Sequence, residues 1–360
     1  MKKEAKFLLA SVIIISLFGA LMIYSSSYVW AQYKFNNPYK YLKSQLIFLV
    51  IGYIAMYIIS KIPYIKYKKY STIIFGACTI LLILVLIPGI GTVRNGSRSW
   101  FGLGGFGIQP SEFTKLGLII FASKYLSNNE RYLKNIKKGV LPILGILLLV
   151  FGLIMLEPDF GTGIVIVITI VSLLFISGVK MNFFIKIGLL GLLGVVVLII
   201  IAPYRLQRIL SFLNPWSDPL GSGFQIIQSL YAIGPGGLLG LGFGNSIQKH
   251  FYLPEPQTDF IFSIISEEFG FLGILLVSLL FITIIICGFK ISMKCENKFG
   301  KYLSFGITFG LAFQTLLNLM VVTGLIPVTG VTLPFLSYGG SSLLITLIEM
   351  GIVLNISKNI

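Results

Sequence analysis

The sequence is poor in the residues that build metal centres and disulfide frameworks. It has one histidine, His250, and three cysteines in 360 residues. A single histidine argues against a histidine-based metal site or catalytic triad. Cys78 and Cys287 lie inside apolar runs, and together with Cys295 they form neither a disulfide framework nor a zinc pattern. Charged residues are scarce too, at 11% of the chain, so function has to be sought in a few polar positions.

Hydrophobic residues, by contrast, make up 56% of the chain, which is typical of a polytopic membrane protein and not of a soluble core. The apolar runs of helix length predict an all-α fold with ten transmembrane helices. They also predict a single membrane domain over residues 1–360, without a separate soluble domain. The runs cover roughly residues 7–24, 45–60, 71–89, 111–126, 139–156, 164–179, 183–202, 259–289, 302–325 and 338–356.

The joints between these runs alternate in charge. If the N-terminus is cytoplasmic, 19 of the 28 basic residues lie in inside segments and nine lie outside. This asymmetry follows the positive-inside rule and predicts that both termini are cytoplasmic. The net charge of +16 then reflects topology and contact with anionic lipid, so no nucleic-acid partner is expected. The first run follows a Lys-rich start, but it is long enough to span and is predicted to be a retained anchor helix.

One stretch, residues 253–262, places carboxylates at the start of a long apolar segment. Pro254 and Pro256 disfavour helix, so a helix is predicted to begin near Thr258 as its N-cap, with Asp259 in its first turn. Asp259 is therefore a candidate functional residue at the membrane surface; the alternative is an acid favoured only by the helix dipole. A small and polar stripe continues from it on one helical face, which should meet other helices or a wet cavity: Ser263, Ser266, Gly270 and Gly273.

Residues 90–110 are predicted to form a turn-rich loop on the outer side. Arg94 and Arg98 are candidates to hold an anionic phosphate, and Trp100 is a candidate to stack on a sugar. An ordinary interfacial tryptophan with exposed arginines explains the same residues equally well.

Two further pairs of charged residues lie at helix boundaries. Ser111 is predicted to cap the next helix, with Glu112 in its first turn and Lys115 close enough for an ion pair. Further along, one helix ends at a proline and another begins almost at once, which leaves Glu157 and Asp159 beside a flexible backbone. A tight turn capped by Asp159 would account for that pair without any chemistry.

Residues 203–258 form the longest stretch without a predicted span. They are too apolar for a solvated loop and too rich in glycine for a membrane helix, which predicts an extracytoplasmic loop with interfacial or re-entrant structure lining a cavity. Before the last run, glycines and hydroxyls open a helix and offer a phosphate cradle. Close helix packing is the alternative there. The cradle residues are Ser337, Gly339, Gly340 and Ser341.

Several short blocks are together highly specific: residues 94–100, 109–112, 157–162, 214–215, 218–219, 254–260, 318–327 and 337–342. Through them the chain resembles the SEDS family (shape, elongation, division and sporulation) over nearly its whole length. Residues 221–225 and 253–259 are more similar to the FtsW and SpoVE branch than to the RodA branch. Gly107 stands where some members carry an arginine, which weakens any transport role of that position.

The resemblance implies a peptidoglycan glycosyltransferase of the bacterial cytoplasmic membrane. Such an enzyme polymerises lipid II at the outer face and works with a class B penicillin-binding protein, among division, elongation or sporulation proteins. It implies that Asp259 is catalytic and that Trp100 is needed. Some members have large cytoplasmic tails, whereas this sequence stops shortly after Lys358, so tail-mediated recruitment is not expected. The substrate-binding candidates are Trp100, Arg94, Arg98, Glu112, Lys115, Glu157, Asp159, Glu255, Ser337, Gly339, Gly340 and Ser341.

Under this interpretation Asp259 is the general base that takes a proton from the attacking sugar hydroxyl. One carboxylate suffices because undecaprenyl pyrophosphate is an activated leaving group, unlike the leaving group of glycoside hydrolysis. Arg94, Arg98 or a divalent cation, Mg²⁺ or Mn²⁺, would meet the charge on the pyrophosphate. No metal site built from protein ligands alone is predicted.

Two other functions stay open on the sequence. A non-catalytic scaffold that recruits a transpeptidase is one. The other is a lipid II flippase, which needs a continuous polar path across the bilayer. The candidates for that path are Lys115, Glu267, Glu268 and Glu349.

Overall fold

The computed structural model describes residues 2–94, 97–103, 106–201 and 203–360, and within them the chain is mainly helical. Its helices are α1 (Lys3–Phe35), α2 (Lys40–Lys61), α3 (Ile65–Leu86), α4 (Pro110–Asn128), α5 (Leu141–Leu156), α6 (Phe160–Ile176), α7 (Met181–Ile201), α8 (Pro203–Leu213), α9 (Phe224–Ile233), α10 (Ile261–Lys294), α11 (Lys298–Val322) and α12 (Gly340–Ile356). A small antiparallel sheet has the order β1 (Thr92–Arg94), β2 (Ser97–Leu103) and β3 (Phe106–Ile108). The sheet replaces the loop predicted for residues 90–110.

Seven of the described helical segments are long and apolar enough to cross a membrane: α1, α2, α3, α5 with the turn before it, α10, α11 and α12 with the turn after it. The prediction of a polytopic membrane fold is thereby confirmed. The three remaining apolar runs coincide with α4, α6 and α7, so all ten runs are helical. Large apolar side chains on the outside of the bundle, such as Leu190 and Ile73, are 69% exposed, which suits a lipid-facing surface.

The stretch around Asp259 departs from the prediction. α10 begins at Ile261 with Phe260 as its N-cap, so Asp259 lies in the turn before the helix and not inside its first turn. Thr258 does not cap the helix because it closes a turn of its own: its amide and its hydroxyl both donate to the carbonyl of Glu255, at 3.0 and 2.8 Å. The predicted stripe of small and polar residues is buried at every position, as expected: Ser263, Ser266, Gly270 and Gly273.

α10 is broken at Gly270, whose φ of 58° and ψ of −152° interrupt the helix. A break inside a membrane leaves backbone groups that need new partners. The glycine-rich segment 236–242 supplies them, because it runs alongside the break and exchanges four backbone hydrogen bonds with it. These are Leu241 N to Glu267 O (2.9 Å), Gly242 N to Glu268 O (3.0 Å), Phe271 N to Gly237 O (2.9 Å) and Leu272 N to Leu238 O (3.2 Å). Part of the long segment 203–258 is thereby fastened to α10.

Gly270→Ala is expected to lower the stability of the fold by more than the roughly 1–3 kcal/mol of a strained backbone residue. A Cβ at this position would lie 2.5 Å from Gly240 N and 2.6 Å from Gly236 O, so steric overlap adds to the strain. Gly76→Ala is the matched control, since it lies within α3 with no heavy atom within 4 Å of its Cβ position. Thermal unfolding in detergent should show a marked loss for Gly270→Ala and none for Gly76→Ala; equal effects would contradict the role of the break.

Contacts between distant segments define the two ends of the bundle. At one end, Lys294 pairs with Glu4 and Lys298 with Glu130. The Lys-rich joints therefore gather there. At the opposite end, the β-sheet, the turn at residues 157–159, the turn at residues 255–259 and the segment 329–341 come together. The candidate site lies at this second end.

Candidate active site

The backbone around Asp259 is fixed from two directions. The side-chain amide of Asn318 on α11 donates to the main-chain oxygen of Asp259 at 2.9 Å, and the hydroxyl of Ser337 donates to the main-chain oxygen of Thr258 at 2.6 Å. Gly330 lies beside the carboxylate, since a Cβ there would be 3.8 Å from Asp259 Oδ2. The Asp259 residue itself is half-buried. The backbone of this turn is thus fixed, and Asp259 is neither fully buried nor fully exposed on it.

One face of α11 connects this turn to the interior. Asn318 also donates to Val331 O at 2.7 Å, and one helical turn earlier Gln314 donates to Thr332 O at 3.1 Å. The other atom of the Gln314 amide, Oε1, accepts from Lys115 Nζ at 2.9 Å. Side chains four residues apart on one helix therefore join the segment 329–332 to a buried lysine.

The predicted ion pair between Glu112 and Lys115 is present, with 2.7 Å between Nζ and Oε2. Both residues are buried, Glu112 to 5% and Lys115 to 4% exposure. The predicted cap is wrong: Gln109 occupies the N-cap position, Pro110 takes the first helical position, and Ser111 is inside the helix. Proline suits that position because its missing N–H would lack a helical partner anyway.

Asp159 caps α6, as the tight-turn interpretation predicted. Its Oδ1 accepts from Thr162 N at 3.1 Å, and its Oδ2 accepts from the side-chain amide of Gln109 at 3.0 Å. The main-chain N–H of Gln109 in turn donates to Ser341 Oγ at 3.3 Å. The starts of α4, α6 and α12 thus meet at one place.

The proposed phosphate cradle is closed by protein contacts. The hydroxyl of Ser337 accepts from Leu333 N at 2.8 Å while donating to Thr258 O, so it is engaged on both sides. Gly340 lies against α2, where a Cβ would overlap the ring of Phe48. This contact favours the helix-packing alternative for Gly340, and Gly339 has extended backbone at φ 179° as the N-cap.

The sheet places Arg98 and Trp100 on one side of β2, because side chains alternate along a strand. The opposite side carries Ser97, whose hydroxyl donates to the main-chain oxygen of Glu157. The sheet therefore packs on the turn at residues 157–159, next to the place where the starts of α4, α6 and α12 meet. Trp100 pairs with Thr92 of β1, and both Arg98 and Trp100 are half-buried. The side chain of Arg94, with residues Asn95 and Gly96, lies outside the described residues.

Glu157 and Glu255 differ in environment. Glu255 is exposed on the turn that leads to Asp259, with a left-handed φ of 44°. The Glu157 carboxyl is fully buried, and neither of its oxygens has a hydrogen-bond partner among the described residues. Burial, with a smaller contribution from the charge of Asp159, raises the pKa of Glu157 to about 9. Glu157 is therefore a neutral acid at pH 7.

The raised pKa predicts a pH-dependent stability. Folded Glu157 keeps a proton that the unfolded chain, with an ordinary pKa of 4.5, releases, so stability falls as pH rises between 4.5 and about 9. The slope from this group is at most about 1.4 kcal/mol per pH unit. Glu157→Gln should flatten the change in melting temperature between pH 6 and pH 8.5, whereas exposed Glu130→Gln should not. Identical profiles for wild type and Glu157→Gln would contradict the prediction.

Glu267 and Glu268, named from the sequence only as candidates for a polar path, belong to a second polar cluster whose other members were not predicted. This cluster lies between α1, the broken part of α10 and residues 244–249. Lys249 is fully buried, and its Nζ lies 2.8 Å from Glu268 Oε1. Ser25 of α1 donates to the same carboxylate at 2.6 Å, and Glu267 accepts from Ser246 Oγ at 2.6 Å. Two adjacent glutamates inside an apolar run were the available signal, because buried carboxylates need partners.

The spans, the buried polar clusters and the broken helix define a multi-pass membrane protein with an ordered carboxylate at one end. Comparison with known proteins identifies the family within this class to which the chain belongs. Residues 5–360 match the family model described as cell cycle protein, FtsW/RodA/SpoVE. The chain belongs to this family, which confirms the resemblance.

Individual relatives are similar over nearly their whole length. Stage V sporulation protein E of Bacillus subtilis strain 168 is 52% identical over 340 residues, covering 94% of this chain and 93% of that protein. A probable peptidoglycan glycosyltransferase FtsW of Trichlorobacter lovleyi is 41% identical, covering 98% and 93%. A chain from a solved peptidoglycan synthase complex has a TM-score of 0.79 at 32% identity, covering 98% and 96%. Thermus thermophilus RodA has a TM-score of 0.72 at 28% identity, covering 98% and 95%.

Proposed function

We propose that this protein is a peptidoglycan glycosyltransferase that polymerises lipid II at the outer face of the bacterial cytoplasmic membrane. The relatives named peptidoglycan glycosyltransferase FtsW and the likeness to a chain of a peptidoglycan synthase complex support the activity. The observation that carries the proposal for this chain is the Asp259 turn, held by Asn318 and Ser337 at the end opposite the Lys-rich joints.

The proposed orientation follows from the charge distribution. The Lys-rich end faces the cytoplasm by the positive-inside rule, so the end with Asp259 faces outward. We extend this to ten spans in one membrane domain, with both termini cytoplasmic: α4, α6 and α7 join the seven apolar segments. Glu112 and Lys115 on α4 are tolerated within a span because they pair with each other.

The proposed chemistry uses Asp259 as general base. Its carboxylate takes the proton of a sugar hydroxyl while that oxygen forms a bond to the anomeric carbon of a second lipid-linked sugar. The bond from that carbon to the pyrophosphate oxygen breaks, and undecaprenyl pyrophosphate departs. Arg98 and Trp100 extend from the adjoining sheet toward phosphate and sugar groups in this proposal, and Arg94 is assigned the same role as Arg98.

A divalent cation is part of the proposal. Among the described residues, no group of three or more His, Cys, Asp and Glu side chains is placed to hold a metal ion. Mg²⁺ commonly uses only one or two carboxylates and completes its shell with substrate phosphates and water, so this donor set fits. Glu255, exposed on the turn before Asp259, is the residue that would hold it, which leaves the Asp259 carboxylate available as the base. The ion would neutralise charge on the departing pyrophosphate.

The deciding experiment separates polymerisation from transport. The purified protein, with and without a class B penicillin-binding protein as the proposed partner, is given labelled lipid II and the products are separated on a gel. A ladder of glycan strands supports the proposal. Movement of lipid II across sealed vesicles without a ladder supports the flippase instead.

The structure weakens the polar path that a flippase would need. Glu267 and Glu268 bind residues 244–249 and Ser25, while Lys115 binds Glu112 and Gln314. Within the described part of the chain, no hydrogen bond joins these two clusters. Three of the four residues named for the path, Lys115, Glu267 and Glu268, are therefore divided between separate structural roles.

A further inference from the structure

A cavity of about 400 Å³ lies beside the Asp259 turn, between α8, α9 and residues 220–222. Its size falls within the range of small-molecule sites, about 300–1,000 Å³. Two of its lining residues connect it to the candidate active site. Pro254 leads directly into the turn at residues 255–259, and Val328 lies two residues before Gly330, which borders the Asp259 carboxylate.

The polar side chains that the described residues contribute to the cavity lining are neutral. Two amides, Gln207 and Gln225, and two hydroxyls, Ser211 and Ser222, line it. None of the described lining residues is charged. The amides can donate and accept hydrogen bonds, and the two hydroxyls, which already donate to Gln207 O and Asp218 Oδ2, can still accept them. Such groups suit ligands rich in hydroxyl and acetamido groups. A pyrophosphate would call for cationic partners, and the described lining residues supply none.

Apolar surfaces complete the cavity wall. Phe224, Pro254 and Val328 contribute C–H and ring surface to the same lining as the amides. A sugar ring has the matching character, because its edge carries hydroxyl groups and its faces carry C–H groups. A lipid tail would not use the amides, and a free ion would not use the apolar wall.

The cavity is held in shape by its own structure. Asp218 accepts from the amide and the hydroxyl of Ser222 at 2.8 and 3.0 Å, which fixes the rim and holds the pKa of Asp218 below its usual range. One turn after Gln225, the hydroxyl of Ser229 is 2.8 Å from Ser263 Oγ and donates to Val322 O at 2.7 Å. α9 is thereby fastened to α10 and α11. A preformed site loses less free energy in ordering when a ligand binds.

We infer that this cavity is a saccharide subsite that binds an uncharged sugar unit of the glycan strand next to the reacting pair. The inference rests on the proposed glycosyltransferase function and adds to it a binding site for the glycan strand. Gln225 and Ser222 contact the sugar, and Asp259 remains responsible for the reaction. Occupation of the subsite keeps the strand bound between additions, so losing it shortens the products.

The test compares wild type with Ser222→Trp, which fills the cavity, and Gln225→Ala, which removes one amide. Gln32→Ala, at an exposed position on α1, is the matched control. Both cavity variants are expected to give strands at least threefold shorter on gels than wild type, with the control unchanged. Unchanged strand length in Ser222→Trp, with wild type active, would overturn the inference. A wild type that makes no strands would instead contradict the proposed function.

A binding measurement gives an answer that does not depend on activity. A soluble tetrasaccharide of alternating N-acetylglucosamine and N-acetylmuramic acid is titrated into the purified protein with its partner, followed by calorimetry. Wild type and Asp259→Asn are expected to bind it, with affinity at least tenfold weaker in Ser222→Trp. Equal affinity in wild type and Ser222→Trp, or no binding to wild type at millimolar concentration, would overturn the inference.

Discussion

Asp259→Asn and Asp259→Ala are expected to abolish detectable strand formation from lipid II. A positioned general base contributes about 10²–10⁴-fold to rate, and an amide of the same shape cannot take the proton. The fold should survive, because Asn318 and Ser337 hold the main-chain oxygens of residues 259 and 258 and neither bond needs the carboxylate. The measurement is the gel assay on purified protein with its partner.

The control for this prediction is Glu296→Gln, an exposed carboxylate at the Lys-rich end of the bundle. It should retain wild-type activity. The melting temperature of Asp259→Asn should stay near that of wild type, which shows that inactivity does not come from unfolding. Full activity of Asp259→Asn would remove this residue from the mechanism and leave the site without its proposed base.

Much of the fold could be predicted from the sequence, because helix in a membrane follows from composition and length. All ten apolar runs lie in helices, and the turn capped by Asp159 is where the sequence predicted it, whereas Asp259 lies before its helix and not in the first turn. Lipid leaves few alternatives to a helix for a long apolar run. The strands β1, β2 and β3 were not predicted from the sequence. They are short and contain or adjoin glycines, and their pairing depends on the helices beneath them.

The sequence predicted which residues belong to the site better than it predicted their arrangement in space. Asp159 as a cap and the pair of Glu112 with Lys115 are local features, and both were found. Asn318 and Gln314 were not named individually, because their role depends on which carbonyl oxygens meet α11. Ser337 was predicted as a ligand group; in the structure its hydroxyl donates to Thr258 O, next to Asp259, and accepts from Leu333 N. A hydroxyl at the start of a helix can therefore bind a ligand or stabilise the local fold, and long-range contacts decide which it does.

The buried ion pair near the helix break shows best what sequence reasoning lacked. Lys249 and Glu268 are 19 positions apart, and Ser25 comes from the first helix. Lys249 Nζ also donates to Gly244 O at 2.5 Å and lies 4.9 Å from the Tyr28 ring centroid. Lys249 thus anchors its own segment to α1 and α10. This segment leads into residues 253–259. A basic residue in an outer segment gives no hint of burial by itself.

Lys249→Met is expected to destabilise the protein by about 3–5 kcal/mol, because it leaves the Glu268 carboxylate buried without its charge partner. The double variant Lys249→Met with Glu268→Leu should recover most of that loss, since removing both charges also removes their desolvation cost. Lys294→Met is the matched control: its pair with Glu4 is partly exposed and should contribute about 0–1 kcal/mol. Thermal unfolding in one detergent measures all four proteins.

The order of stabilities separates a charge effect from a packing effect. If the double variant is as unstable as Lys249→Met, the lysine acts through its volume and the ion pair is incidental. If the double variant recovers stability but not strand formation, the pair positions the segment before Asp259 beyond holding the fold. Recovery of both would mean that neutral side chains position this segment equally well, and that the charges serve only each other.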